Sequence, residues 1–270
     1  METELEKMIA NYQTVKKDLR FFDANCWLDL ADTEKFHQIG SLEQLSSYLA
    51  GKGIARAVIT DSDSTRYDPY IGNERLEALL SSSGNLYGSL VLTPDILYNG
   101  LNLYKYIHQK ISRRFVTARF FPKRYYHSLA DFVMGDVWSC LQNIRLPVML
   151  WHGETSWEEI DSLCARYPEL PLIIEGNPTK LLYHNRNYMA LLNSHKNLYL
   201  ETHGLIQFME LDSLVASFGA GRLIYGSYAP YNDPDVTLAN ICLAQMSPEA
   251  KRQIAGGNLE TLIEGIKSPV

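Results

Sequence analysis

Two histidines, three carboxylates and an arginine stand out in this 270-residue chain, because each closes or follows a short apolar run: Asp23, Arg119, His152, Glu175, Glu201 and His203. Histidine titrates near neutrality and a buried glutamate can be raised to meet it, so His152 with Glu175 is the first pair to consider for acid–base work. His203 and Asp23 complete the expected catalytic set, with Asp23 orienting a group on the first run. Arg119 could clamp a substrate carboxylate, and Tyr228 could donate to a developing oxyanion. Asn25, Trp27 and Asn177 are the other expected substrate contacts. His152, Glu175 and His203 are also the ligand types of a one-zinc hydrolase. No cofactor is expected, with a single divalent ion, zinc, as the open alternative on those three residues. Each residue also has a structural reading: the histidines bonded to neighbouring groups, Arg119 paired with an acid, Tyr228 filling space, Asp23 capping a loop.

Aromatic residues accompany these groups. Trp27, Phe121, Tyr125, Tyr126, Trp151, Tyr228 and Tyr231 fall at or just past the same run ends. Gathered around one mouth they would suit a small planar ligand, since ligand cavities are mostly apolar with a few placed polar groups. His37, His108, His127, His184 and His195 fall in helical or connecting segments and read as surface or capping residues.

What positions such groups is a repeating pattern. Eight short apolar runs, 21–27, 55–60, 86–92, 116–121, 147–152, 172–175, 198–202 and 223–227, alternate with segments that space Leu, Ile and Met at three or four residues. Repeated strand–helix units over this length predict a closed α/β (β/α)8 TIM barrel, in which the chemistry sits at the C-terminal strand ends. The rival, an open doubly wound sheet, would show a Gly-rich phosphate turn after its first strand, and DANCWLDLAD has no Gly. Cys26 should point away from Asn25 on the first strand. Ser41 and Thr155 read as helix caps. YDPYIGNERL and KRYYHSLADF read as loops over the mouth. Residues 1–18 read as an additional amphipathic helix, and the tail supplies a last barrel helix and one beyond it. No linker divides the chain, so one domain over 1–270 is expected.

Composition bounds the partners. Charged residues are 21% of the chain and the net charge is −6 with no basic run, so a phosphate backbone or an anionic lipid surface finds no footprint. No apolar stretch approaches the ~20 residues that span a bilayer. A small-molecule ligand is expected, with neither nucleic acid nor membrane as partner. The start carries three Glu rather than a secretory pattern, and Cys26, Cys140, Cys164 and Cys242 are scattered without a C-x-x-C. A cytoplasmic protein with reduced thiols is the expectation.

Taken in order, FFDANCWLD, LPVMLWHG, NLYLETHG and RLIYGSYAPYNDP, with the tail ANICLAQMSPEAKRQIAGGNLETLI, resemble the strand-one D-x-H-x-H, strand-five histidine, strand-seven and closing G-[ST]-D-x-P segments of the amidohydrolase superfamily, in its amidohydrolase-related branch. The resemblance implies a metal-dependent hydrolase barrel or one of its decarboxylase and lactonase relatives. Only His152 matches a metal ligand. The two histidines of H-x-H fall on Asn25 and Trp27, the strand-six histidine at or beside Glu175, Gly176 and Asn177, and the strand-eight aspartate on Tyr228. The expectation is a hydrolase, or a related C–C or C–N lyase, of a small organic molecule with a degenerate metal site. The alternatives are a non-catalytic pseudoenzyme that binds a metabolite or a protein, and a subunit of a homo-oligomer. A closed polar pocket joining His152, Glu175 and His203 would favour the enzyme; a cavity filled by Trp27 and Tyr228 would favour the binder.

Overall fold

The computed structural model describes residues 3–28, 39–176 and 184–267. Eight strands, β1 (Phe21–Leu28), β2 (Ile54–Asp61), β3 (Leu86–Val91), β4 (Phe115–Phe120), β5 (Val148–Trp151), β6 (Leu172–Glu175), β7 (Leu198–Glu201) and β8 (Leu223–Ile224), form one parallel sheet in sequence order. Backbone bonds from Ala24 N to Tyr225 O, at 2.9 Å, and from Trp27 N to Ala229 O, at 2.7 Å, bring the last strand against the first. The expected TIM barrel is the fold. Asn177 and His37 lie outside the described residues.

The helices follow the strands on the outside. They are α1 (Glu4–Asp18) ahead of the barrel, then α2 (Leu42–Gly51), α3 (Asp63–Arg66), α4 (Pro69–Leu80), α5 (Leu103–Ser112), α6 (Asp131–Ile144), α7 (Trp157–Arg166), α8 (Asn185–Ser194), α9 (Glu210–Phe218), α10 (Pro234–Leu243), α11 (Pro248–Arg252) and α12 (Asn258–Glu264). The main core lies between this shell and the strands. Within it Trp138 of α6 packs edge-on against Phe120 of β4, with ring centroids 4.6 Å apart, and donates its indole N–H to Leu129 O. A second apolar cluster fills the barrel interior: Phe22, Val58, Met149, Ile173 and Ile224 meet Leu259 and Leu262 of α12, which plugs the lower end. The polar residues of interest stack on top of that layer.

Several boundaries differ from expectation for local reasons. The 67–76 segment is not a loop: Asp68 accepts from the amides of Tyr70 and Ile71, and Pro69 takes the first helical position, so α4 begins there. The cap before α7 is Ser156, which forms a capping box with Glu159, while Thr155 Oγ1 donates to the same glutamate. Ser41 caps α2 as expected. β5 stops at Trp151, so His152 opens a short 3-10 turn, and β8 stops at Ile224, short of Ser227. All four cysteines are buried and unpaired. Among the described residues, no helix is long and apolar enough to cross a membrane.

Candidate functional site

The site begins with a defect in β1. Asp23 pairs with Ala57 and Cys26 with Ile59, so three steps of β1 face two of β2. An extra residue of this kind flips the in–out alternation of the rest of the strand. Phe22 and Ala24 belong to the interior layer, yet Cys26 packs in the outer core, which leaves Asn25 and Trp27 turned inward. Asp23 holds the irregularity: its Oδ1 accepts from Asn25 N at 2.9 Å and from Ser227 N at 3.0 Å, tying β1 to the chain after β8. Complete burial pushes its carboxyl up to about 6.

Asn25 is the hub. Its Oδ1 accepts from Trp27 Nε1 at 3.1 Å and from Arg119 Nη2 at 2.8 Å, while its Nδ2 donates to Glu175 Oε2 at 2.7 Å and to Glu201 Oε2 at 3.0 Å. Two donors on one side and two carboxylates on the other fix which way the amide points. Arg119 also donates to Glu175 Oε1 at 3.1 Å, and its guanidinium carbon lies 5.1 Å from the Trp27 ring centroid. His203 Nδ1 is paired with Glu201 Oε2, and its backbone N–H donates to Glu201 Oε1 at 2.7 Å. Gly226 makes this pairing possible, because a Cβ there would lie 2.2 Å from Glu201 Oε1. Two carboxylates and two cationic groups are thus interleaved, each less than 5% exposed. Burial raises the Glu175 pKa, against the pull of Arg119. For His203 burial works downward, but the Glu201 carboxylate outweighs it, and the imidazole is held above its ordinary value.

An aromatic layer covers this network. The Tyr228 ring lies parallel to His203, with centroids 4.9 Å apart and planes 11° apart. Tyr228 reaches that position from a left-handed backbone, φ 60°, which costs a non-glycine residue on the order of 1 kcal/mol. Trp27 stands 6.1 Å from both Phe121 and Tyr228 and 6.0 Å from Tyr231. Above them opens a pocket of about 330 Å³ walled by Trp27, Phe121, Trp151, Tyr228 and Tyr231. Arg66 and Arg124 supply its cations and Glu175 its carboxylate. A larger groove, about 770 Å³, lies on the outside between α1, α2 and α10, away from the strand ends.

The structure therefore gathers Asp23, Asn25, Trp27, Arg119, Glu175, His203 and Tyr228, residues drawn from five strands or their ends. His152 stands apart. Its ring stacks on Trp157, centroids 5.5 Å apart, and faces His184 at 5.0 Å; its Nδ1 lies 3.4 Å from the Glu175 carbonyl oxygen, and burial lowers its pKa. Among the described residues it bonds to neither carboxylate nor to His203. Five of the seven expected aromatics line the pocket; Tyr125 packs behind it, and Tyr126 points outward, 96% exposed. The loop carrying both is anchored: Lys123 N and Arg124 N donate to Glu154 Oε2 at 3.0 and 3.1 Å. Glu201, one of the strand-end residues, is the partner that the sequence did not assign to His203; the E-x-H spacing on β7 is its signal. Arg66 and Arg124 carry no such signal, since they come from a helix and a loop whose placement depends on packing.

The donor chemistry does not suit a metal ion. First-row ions take carboxylate oxygen and imidazole nitrogen at roughly 2.0–2.2 Å, from at least three protein groups. Here the oxygens of Glu175 and Glu201 are engaged by the Asn25 amide, Arg119 and His203, and of the site's carboxylate and imidazole atoms Asp23 Oδ2 and His203 Nε2 are buried without a partner, fewer than the three groups an ion needs. Among the described residues no group of three or more His, Cys, Asp or Glu is arranged to hold one.

The Amidohydrolase family model matches residues 110–262, more than half of the chain. The chain belongs to the amidohydrolase family. No curated protein matches it. Among solved structures, an uncharacterised TIM-barrel protein from Bordetella bronchiseptica aligns at 15% identity over 92% of this chain and 99% of its own, with a TM-score of 0.69. A 2,6-dihydroxybenzoate decarboxylase from Rhizobium aligns at 12% identity over 91% and 99%, TM-score 0.66. A dihydroxybenzoic acid decarboxylase from Polaromonas, solved with manganese and 2-nitroresorcinol, aligns at 14% identity over 91% and 97%, TM-score 0.66. At these identities the likeness establishes the fold of this amidohydrolase-family barrel.

Proposed function

We propose that this chain binds a small planar acid at the barrel mouth without a metal ion, the degenerate metal site of its family having become a self-paired charge network of which Glu175 alone reaches the pocket. The observation that carries the reading is the layering: aromatic walls and two arginines face the pocket, while Asn25, Arg119, Glu201 and His203 lie beneath Trp27 and Tyr228. Planar rings pack well against aromatic faces, and guanidinium pairs with carboxylate through parallel hydrogen bonds. Several solved structures of similar fold are decarboxylases of aromatic acids, which supports the same ligand class. The free buried thiols fit a reducing cytoplasm.

A second reading rests on Glu175, the carboxylate among the described residues that lines the pocket, which burial biases toward its protonated form. Such an acid could protonate a ring carbon as its C–C bond to a carboxylate breaks. The bonding pair then stays on the ring, carbon dioxide leaves, and water returns a proton to Glu175. This is lyase chemistry with no ion required.

Tryptophan fluorescence tests the first reading, because Trp27 and Trp151 wall the pocket. Titration in EDTA with 2,6-dihydroxybenzoate should give saturable quenching at least about tenfold tighter than with resorcinol, which lacks the carboxylate, the increment of one charge-assisted contact. Equal affinity for the two would remove the anion from the proposal. Release of resorcinol from the bound acid, followed by chromatography, separates the lyase from the binder.

A further inference from the structure

Three potential ligand atoms converge on one side-chain nitrogen. Asn25 Nδ2 lies 2.7 Å from Glu175 Oε2, 3.0 Å from Glu201 Oε2 and 3.5 Å from His203 Nδ1. The remaining oxygens of the two glutamates are committed elsewhere, Oε1 of Glu175 to Arg119 and Oε1 of Glu201 to the His203 backbone. An amide nitrogen with two N–H donors therefore occupies the point between two carboxylates that would otherwise repel each other. We propose that the Asn25 amide, backed by Arg119, is a built-in substitute for a cation, and that replacing this one amide by a carboxylate makes the barrel a divalent-ion site.

The argument is one of charge and reach. Asn and Asp have the same shape, so Asn25→Asp preserves packing while exchanging an N–H₂ donor for an anionic acceptor. The centre then holds three carboxylates against two cationic groups, Arg119 and the His203 imidazole paired with Glu201, and an unbalanced like charge this close and this buried is strongly unfavourable. A divalent ion relieves the repulsion. The spacing also fits, because the new oxygen would stand where Nδ2 now is, 2.7 Å and 3.0 Å from the two glutamate oxygens, roughly the separation of neighbouring ligands around an ion with metal–oxygen distances of about 2.1 Å. An ion held between these three oxygens gains a nitrogen donor when the Nδ1 proton of His203 is released on binding, an oxygen and nitrogen set that manganese and zinc both accept.

The inference rests on the metal-free reading above, and the experiment keeps the two separable. Wild type and Asn25→Asp are expressed with and without added Mn²⁺, dialysed, analysed for bound metal and melted in EDTA or in Mn²⁺. Wild type should hold no stoichiometric ion and melt at one temperature in both buffers. Asn25→Asp should bind about one Mn²⁺ per chain and gain on the order of 5–10 °C when Mn²⁺ exceeds its Kd a hundredfold. A variant soluble only when expressed with Mn²⁺ is the same result. Stoichiometric metal in wild type overturns both this inference and the metal-free reading. Metal-free wild type with a variant that ignores Mn²⁺, or that is insoluble with and without it, overturns the inference alone.

Discussion

The imidazole of His203 and the phenol ring of Tyr228 lie face to face, 4.9 Å apart and within 11° of parallel. Tyr228 follows the last strand, and its ring lies between the buried His203–Glu201 pair and the open pocket. That division of the barrel mouth into two storeys governs how ligand, salt, pH and substitution should act on the protein.

If the ring floors the pocket, Tyr228→Ala should weaken 2,6-dihydroxybenzoate binding by about tenfold or more, since a stacked aromatic pair contributes roughly 0.5–1.5 kcal/mol beyond area burial. Tyr228→Phe should keep most of the affinity. The comparison of the two Kd values by fluorescence isolates the ring from its hydroxyl; a similar loss in both would assign the effect to the hydroxyl instead.

The cations at the rim should act through charge. Arg66→Gln and Arg124→Gln are each expected to weaken the acid by about three- to tenfold while leaving resorcinol unchanged, and the loss should shrink as salt is raised toward 1 M. Calorimetric titration at two salt concentrations reads this directly. If the acid and resorcinol weakened equally, both arginines would be wall residues rather than anion contacts.

The fold was legible at the level where period and order carry the information. Eight apolar runs alternating with helical segments placed all the strands, because a parallel barrel repeats one unit and hides its strands on both faces. The site was legible only in part. Asn25, Glu175, His203 and Tyr228 fall at strand ends, and the barrel must bring strand ends together. His152 falls at one too, but β5 stops at Trp151, and the turn beyond it carries the imidazole onto Trp157. The parity of β1 illustrates the remainder. Alternation from Phe22 would send Asn25 outward; the irregularity after Asp23 reverses it, and a pairing register between two strands has no mark in either sequence alone.

Breaking the buried pair of Glu201 and His203 should be costly. His203→Leu leaves Glu201 without its cationic partner, and removing one member of a buried pair typically costs about 3–5 kcal/mol. Gly226→Ala should act on the same pair from behind, because the new methyl would occupy the space of the carboxylate. Urea denaturation should show both variants losing midpoint; unchanged midpoints would mean that the pair is solvated or relaxed.

Asp23 sets the sign of the pH dependence. Its carboxyl is pushed up to about 6 from 3.8 by burial, so both folded and unfolded states hold the proton at pH 3, and the unfolded state ionises first as pH rises. Its contribution therefore falls between about pH 4 and pH 6, by at most roughly 3 kcal/mol, and is absent from Asp23→Asn. His203, also raised, adds the same sign at higher pH: its stabilisation is full while both states are protonated and is lost as pH passes its folded value. Denaturation midpoints of wild type minus Asp23→Asn should decline from pH 4 to pH 6. A rising difference would place the ionised, not the neutral, carboxyl in the folded state.

The most direct test is calorimetric titration of the wild-type chain with 2,6-dihydroxybenzoate, once in EDTA and once in Mn²⁺. A pocket that stands above a self-sufficient charge network predicts the same Kd and the same one-to-one stoichiometry in both. Binding that appears only with Mn²⁺ would contradict it.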